Sequence, residues 1–442
     1  MNLFALILYG AVNVLMVSYY LLEHGRFYQF PFWAGVIALG WFFPQAIGGY
    51  LNVSEFPENA YVDGMLFATL CMIALWVGFE GTVHKNPVVR RSWLGAPFNS
   101  NRLYWVAVIF CLFGFFFQWK LWSLPEEILA ESQPSGVVVK YLFFGNIFKF
   151  GFIALWLLYL SQIRVLVPKM LIFIVPSLCL FIEAALLRGR RAGMMDLVSY
   201  LIVSLWFVRR IAVPRWFIIV GLSFGLVLIN GIRTYRLILM DKDTPWSERL
   251  SEAARADYLE ASKRNMDKSG SEFKNYIFYR KIHDDLGIYD WGTSHWNRFV
   301  HNYVPAQITG REFKESLMLK PTDIEIKEMI KIEYGHVVKR GTTTTGYKDA
   351  FASFGWFGFV KFLLIGWIMG VLYRSAMQGA FLGQLLYIYV LTKGMQSVSH
   401  GTNDILVRVW IYFFTLGFPI LLWARRKNFA SLELEINEGR CI

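Results

Sequence analysis

Three arginines fall within six residues at Arg188-Gly-Arg-Arg191-Ala-Gly193, between apolar runs at 168–187 and 194–208. A guanidinium group is planar, forked and permanently charged, which suits a phosphate or diphosphate at any ordinary pH. Arg191 and Gly193 immediately precede an apolar run, so the same turn offers an anion the free N–H groups of a helix N-terminus. Arg233 and Arg236 stand in Asn230-Gly-Ile-Arg-Thr-Tyr-Arg and share a face if the preceding helix continues. Arg408 comes four residues after Asp404, in front of the last apolar run. The alternative to an anion site is that these cations snorkel to lipid headgroups or pair with Glu183, Asp196 and Asp404.

Four histidines are candidate general bases near neutral pH: His336, His295, His301 and His400. His336 is the first choice, because it follows a helix stop close to the return of the chain to apolar sequence. Asp349, Glu55 and Glu58 are rivals for the role. Tyr303, Trp291 and Trp296 offer rings for stacking on sugars or for core packing. His283-Asp-Asp285 and Asp241-Lys-Asp243 bring carboxylates close together, but in a charged loop such groups are ordinarily solvated rather than metal-bound. Walker A, protein-kinase, GxSxG and HExxH motifs are missing from the sequence, which argues against a primary pump or a zinc protease.

The elements that must position these residues are membrane helices. Of 442 residues, 56% are hydrophobic and 17% charged, and several apolar runs of about 20 residues match a bilayer core. They do not alternate with period two, so the expected class is an all-α polytopic membrane protein rather than a barrel. Eleven spans are expected, at 3–22, 28–50, 61–80, 103–122, 138–160, 168–187, 194–208, 215–231, 351–373, 380–399 and 405–424. Residues 1–22 lack a basic n-region and a small-residue cleavage site, and read as a span rather than a signal peptide. The net charge of +12 lies largely at membrane edges, so it reports orientation rather than nucleic-acid binding. The four cysteines show no disulfide or zinc spacing.

Lys85, Arg90, Arg91 and Arg102 place loop 81–102 on the cytoplasmic side, and Glu55 and Glu58 place 51–60 outside. Alternation then puts Arg209, Arg210, Arg215, Arg374 and Arg425-Arg-Lys427 inside, with the N-terminus out and the C-terminus in. The chain divides into helices over 1–231, a long outer segment at 232–349, helices over 350–424 and a cytoplasmic tail at 425–442. Long loops cross regardless of charge, but the short arginine turn at 188–193 works against the orienting bias, and an anionic ligand would compensate it. The long segment reads as mostly helical. Thr244-Pro245 opens a polar helix through about Lys268. Thr322 and Glu325 form a capping box for a helix ending near Tyr334, with Gly335 as its left-handed stop.

Taken together and in order, five pieces resemble the O-antigen polymerase class, in particular oligosaccharide repeat-unit polymerases of the enterobacterial common antigen type. They are Leu186-Leu-Arg-Gly-Arg-Arg191-Ala-Gly; Ile232-Arg233-Thr-Tyr-Arg236; Tyr303-Val-Pro305; Thr345-Gly346-Tyr-Lys-Asp-Ala-Phe-Ala-Ser-Phe-Gly355-Trp-Phe-Gly358; and His400-Gly-Thr-Asn-Asp404-Ile-Leu-Val-Arg408. They cover about 186–410, and the first 180 residues are similar in hydropathy only. Where the family shows an arginine–acid pair before the last span, this chain has His400-Gly.

The resemblance implies a GT-C-like helical bundle in the bacterial inner membrane with a periplasmic lid. It also implies transfer of a growing glycan from undecaprenyl diphosphate onto a new lipid-linked repeat unit, with inversion. On this reading Arg191 and Arg233 act on the donor diphosphate and His336 is the base. Arg188, Arg190, Arg236, Arg408, Tyr303 and His400 bind substrate. A flippase and a chain-length regulator are the implied partners. No nucleotide, cofactor or obligatory metal is expected, since arginines can take over a metal's electrostatic role. The rival readings are an O-antigen ligase, a lipid-linked oligosaccharide flippase or other transporter, and a structural subunit of an export complex.

Overall fold

The structure, a computed structural model, describes residues 1–85, 93–125, 136–161, 167–184, 191–221, 238, 245–256, 260, 271–304, 306–319, 323–338 and 345–425. Among them there is no strand, only one bridge pairing Phe98 with Arg425. Among the described residues, six helices are long and apolar enough to cross a membrane: α1 (Asn2–Leu22), α2 (Phe30–Leu51), α3 (Ala60–Val83), α4 (Ser100–Trp122), α5 (Val137–Leu160) and α12 (Gly346–Met377). The all-α membrane architecture is therefore present, with fewer spans by this measure than the eleven expected.

Helices also occupy four of the other expected runs. They are α6 (Val167–Ile182), α7 (Arg191–Arg209), α13 (Phe381–Ser399) and α14 over 404–424. Of these, α6 has only 16 residues. The other three carry charges or amides within the helix: Asp196 in α7, Gln384 and Lys393 in α13, Asp404 and Arg408 in α14. The run at 215–231 is helical through 221, and the rest lies outside the described residues.

Glycines set the closest helix contacts. A Cβ on Gly78 of α3 would stand 2.2 Å from the Leu363 carbonyl oxygen, and one on Gly366 of α12 would stand 2.1 Å from that of Leu75. The two backbones touch reciprocally, which only glycine permits at this spacing. In lipid, where apolar surface gains little by leaving its solvent, such close packing supplies the association energy.

The long segment contributes α8 (Trp246–Arg255), α9 (Ser271–Leu286), α10 (Thr293–Tyr303) and α11 (Asp323–Tyr334). The first of these begins one residue after Pro245 and ends at Arg255, where Ala256 turns to extended backbone; beyond that, all of the stretch to Lys268 but residue 260 lies outside the described residues. Gly335 ends α11 at φ +66°, the left-handed stop expected there, while Thr322 lies outside the described residues.

Rather than standing off as a separate cap, α9 enters the bundle. Phe273, Tyr276, Ile277 and Tyr279 are buried, and the Tyr276 hydroxyl donates to the Gly64 carbonyl at 2.6 Å. Arg280, only 1% exposed, reaches Asp63 at 3.1 Å and Asp284 at 3.2 Å, and lies over the rings of Phe351 and Trp356. A buried guanidinium with two carboxylates and two aromatic faces fastens this helix to α3 and α12.

The helix ends sort into two sets. One gathers Glu23, Arg26, Glu80, Arg210, Arg374 and Arg425. There Tyr20 donates to Glu80, Arg374 to the Thr82 carbonyl at 3.1 Å, Arg210 to the Met377 carbonyl at 2.8 Å, and Asn99 N–H to the Ala424 carbonyl at 2.9 Å. The other end gathers the long segment. There Lys274 pairs with Glu55, Asp290 N–H meets the Ala352 carbonyl at 2.9 Å, and Tyr303 reaches the start of α14. The loops expected on one side thus share one end, and the long segment occupies the other.

Candidate functional site

At the long segment's end, α14 begins with a π-helical turn, Asp404–Arg408. Such turns widen the helix and free backbone groups, and they recur at functional sites. Tyr303, the last residue of α10, donates its hydroxyl to the Arg408 carbonyl at 2.9 Å and sets its ring edge-on to Phe143 of α5, 5.9 Å away. Burial raises the Tyr303 phenol to about 12, with Arg408 opposing and Asp404 assisting, so it stays a neutral donor.

Behind this contact lies a cavity of about 80 Å³ with aromatic walls and three cations, Lys149, Lys393 and Arg408. Lys149 stands twelve residues into α5, about 18 Å along the helix from Val137. Its ammonium is 2.5 Å from Asp196, whose other oxygen accepts from the Thr392 hydroxyl at 2.5 Å. Lys393 reaches Gln396 at 3.1 Å, and Arg408 is 3.8 Å from Asp404. Three cations against two carboxylates leave a positive excess in a recess walled in part by a candidate membrane span. Ionisable groups are costly there and mark a ligand or a pathway.

The same segment walls a second and larger cavity, of about 340 Å³. Asp404 lines the first cavity and its neighbour Asn403 the second. Helix α10 spans both, with His295, Arg298 and His301 on the larger cavity and Tyr303 bonded to Arg408 beside the smaller one. Lys348 and Asp349 reach it from the first turn of α12, which Thr345 caps by accepting the Lys348 N–H at 3.1 Å.

Asp349 is held firmly. It accepts from the Thr402 N–H at 2.9 Å and from the Thr402 hydroxyl, and the Lys361 ammonium is 3.7 Å away. Burial lowers the His295 pKa, while the nearby Asp349 carboxylate opposes the shift. The ring is therefore neutral at pH 7, and its buried Nε2 has no hydrogen-bond partner within the protein.

Of the residues singled out in the sequence, Arg408 and Tyr303 are brought together. Arg188, Arg190, Arg233 and Arg236 lie outside the described residues, as does the side chain of Arg191, whose backbone opens α7. Asp196 comes five positions after Arg191, so the α7 N-terminus stands about 7.5 Å along its axis from the Lys149 pair. His400 ends α13 at the surface, its Nδ1 2.8 Å from the Ser399 hydroxyl, and lines neither cavity.

Nor does His336 line either cavity. Its Nε2 is 2.8 Å from the Asn275 side-chain oxygen, and its ring stacks on Phe278 at 4.4 Å. Burial and Lys274 lower its pKa, against Glu55. The Trp296 indole donates to the Leu317 carbonyl at 2.8 Å, and Trp291 packs edge-on against Phe354. His283, Asp284 and Asp285 have protein partners, namely the Ile288 carbonyl, Arg280, and Lys281 with Tyr334. Among the described residues no cluster of three or more His, Cys, Asp or Glu could hold a metal ion.

Sequence reasoning missed Lys149 and Lys393. Their signal was present, since Lys393 is the lone cation of its expected span and Lys149 lies near the middle of one, but attention to arginines at span ends passed over it. Comparison with protein-family models, curated proteins and solved structures returns no match for this chain.

Proposed function

We propose that this chain is a glycosyltransferase of the lipid-diphosphate-linked, O-antigen-polymerase type. It lies in the bacterial inner membrane with the long segment periplasmic, the N-terminus out and the C-terminus in. The carrying observation is the recess that joins Lys149, Lys393 and Arg408, with Tyr303 from the long segment bonded to the Arg408 carbonyl beside it. A lipid diphosphate is an anion that sits at a membrane boundary under a polyprenyl chain, and this recess is a cationic hollow within an apolar bundle. As the glycosidic bond to the diphosphate breaks, charge grows on the leaving oxygen. Preorganised cations in a water-poor site lower that barrier, each by about a hundredfold or more in rate. Attack opposite the leaving group inverts the anomeric centre. The segregation of basic helix ends away from the long segment supports the proposed orientation.

The test is glycan length in the source cells. Arg408→Gln and Lys393→Met variants, each present at wild-type level, are expected to leave lipid-linked single repeats in place of chains. Full-length chains in both would end the proposal. A second reading, a lipid-linked oligosaccharide transporter, draws on the depth of the Lys149–Asp196 pair, since ionisable groups within a bundle also serve transport. It is separated by where substrate accumulates in a null strain: on the cytoplasmic face for a transporter, on the periplasmic face for a polymerase.

A further inference from the structure

A transferase needs a place for the acceptor as well as for the leaving group, and the larger cavity has the chemistry for one. We infer that the 340 Å³ cavity under α10 binds the terminal sugar of the acceptor, and that His295 Nε2 removes the proton of the attacking hydroxyl there. The inference rests on the transferase reading above.

Three observations carry it. First, three residues that line this one cavity each carry a buried polar atom with no hydrogen-bond partner within the protein: Ser294 Oγ, His295 Nε2 and Asn403 Oδ1. Buried polar atoms are nearly always bonded, so three unbonded ones on residues that line a single hollow point to a ligand that supplies the bonds. Second, those atoms are a hydroxyl, an imidazole nitrogen and an amide oxygen, joined on the wall by Thr293 and Asn297. That set matches a polyhydroxylated ring, which both donates and accepts, better than it matches an apolar ligand. Third, adjacent residues line the two cavities, Asn403 the larger and Asp404 the cationic recess, and α10 runs past both. An acceptor hydroxyl and a leaving diphosphate can therefore meet across one segment.

The step balances within the groups named. The acceptor oxygen bonds to the anomeric carbon of the donor, the bond from that carbon to the diphosphate oxygen breaks, and the diphosphate keeps the electron pair. The hydroxyl proton passes to His295 Nε2, and the imidazolium later returns it to solvent. Asp349 is a positioning residue, fixed by Thr402 and Lys361 and able to stabilise the imidazolium. The charged groups acting on His295 are Asp349, Lys361, Asp290 and Arg298, with Lys348 and His301 also on the cavity wall.

The experiment compares His295→Ala with Arg408→Gln in the source cells, with inorganic pyrophosphate binding measured on each purified full chain in lipid nanodiscs. His295→Ala is expected to cut chain formation at least a hundredfold, the scale of a lost general base, and to keep pyrophosphate affinity within about twofold. Imidazole added to His295→Ala membranes is expected to restore chains about tenfold, with no effect on Arg408→Gln. Full-length chains in His295→Ala while Arg408→Gln makes none would overturn the inference and leave the donor site standing. Full-length chains in both would overturn the transferase reading itself. If His295→Ala loses pyrophosphate binding as well, the imidazole result decides, and lack of rescue overturns the role.

Discussion

Replacing Lys149 by methionine separates what the buried pair does for the fold from what it does for a ligand. The substitution keeps the length of the side chain and removes its charge. Asp196, 1% exposed, is left with Thr392 as its direct hydrogen-bond donor. Breaking a buried pair by deleting one partner costs about 3–5 kcal/mol. Lys149 is itself 18% exposed, so the lower end applies: about 3 kcal/mol, or roughly a hundredfold in the folding equilibrium. Adding Asp196→Asn removes the stranded charge while keeping an acceptor for Thr392, and should return all but about 1 kcal/mol.

The assay is reversible unfolding of the purified chain in mixed micelles, followed by far-UV circular dichroism. The same preparations are then titrated with inorganic pyrophosphate. The double variant should fold nearly as well as wild type yet bind the anion about tenfold more weakly: the net charge of the pair is unchanged, but the ammonium that lines the recess is gone while the lost carboxylate did not line it. The reasoning fails if Lys149→Met unfolds within 0.5 kcal/mol (about the resolution of such a measurement) of wild type. A refolded double variant with unchanged pyrophosphate affinity would refute the ligand role alone.

Three other outcomes follow from the geometry. Arg280→Met should loosen α9 from α3 and α12 at a cost of about 2–3 kcal/mol. Asp63 and Asp284 remain about a third exposed and stay solvated, so the loss should show as faster protease cleavage within 245–345 rather than as global unfolding. Gly346→Ala would put a Cβ 1.6 Å from the Ser397 carbonyl oxygen, so α12 and α13 must part; the folded yield should collapse, as read by size exclusion in detergent. His295 has a pKa lowered by the fold, so the unfolded chain takes its proton first as pH falls. That stabilisation is whole above about pH 6.5, the unfolded value, and drains away in acid. His295→Gln should therefore lose less Tm than wild type between about pH 7 and pH 5, while His336→Gln tests the parallel contribution of the second lowered histidine.

Much of the scaffold is set by local sequence. Each apolar run of about 20 residues has one way to satisfy its backbone in lipid, which is to become helix, so α1 to α5 could be read directly. The glycine at 335 announced its left-handed stop, because that conformation follows from the missing Cβ. Basic residues at alternate loops foretold which ends would gather together.

The candidate site was decided by the tertiary structure. Lys149, Asp196, Lys393 and Arg408 come from four helices, and helical periodicity says which face a residue occupies without saying which helix it will meet. Sequence alone does not tell the surroundings of His336 from those of His295 for the same reason. Both are histidines beside aromatic sequence, and only packing puts one against Phe278 and Asn275 and the other on a cavity wall with Asp349. The composition of this chain commits it to helices in a membrane. Which charges share a hollow depends on contacts between residues far apart in the chain, and these form only when the helices pack.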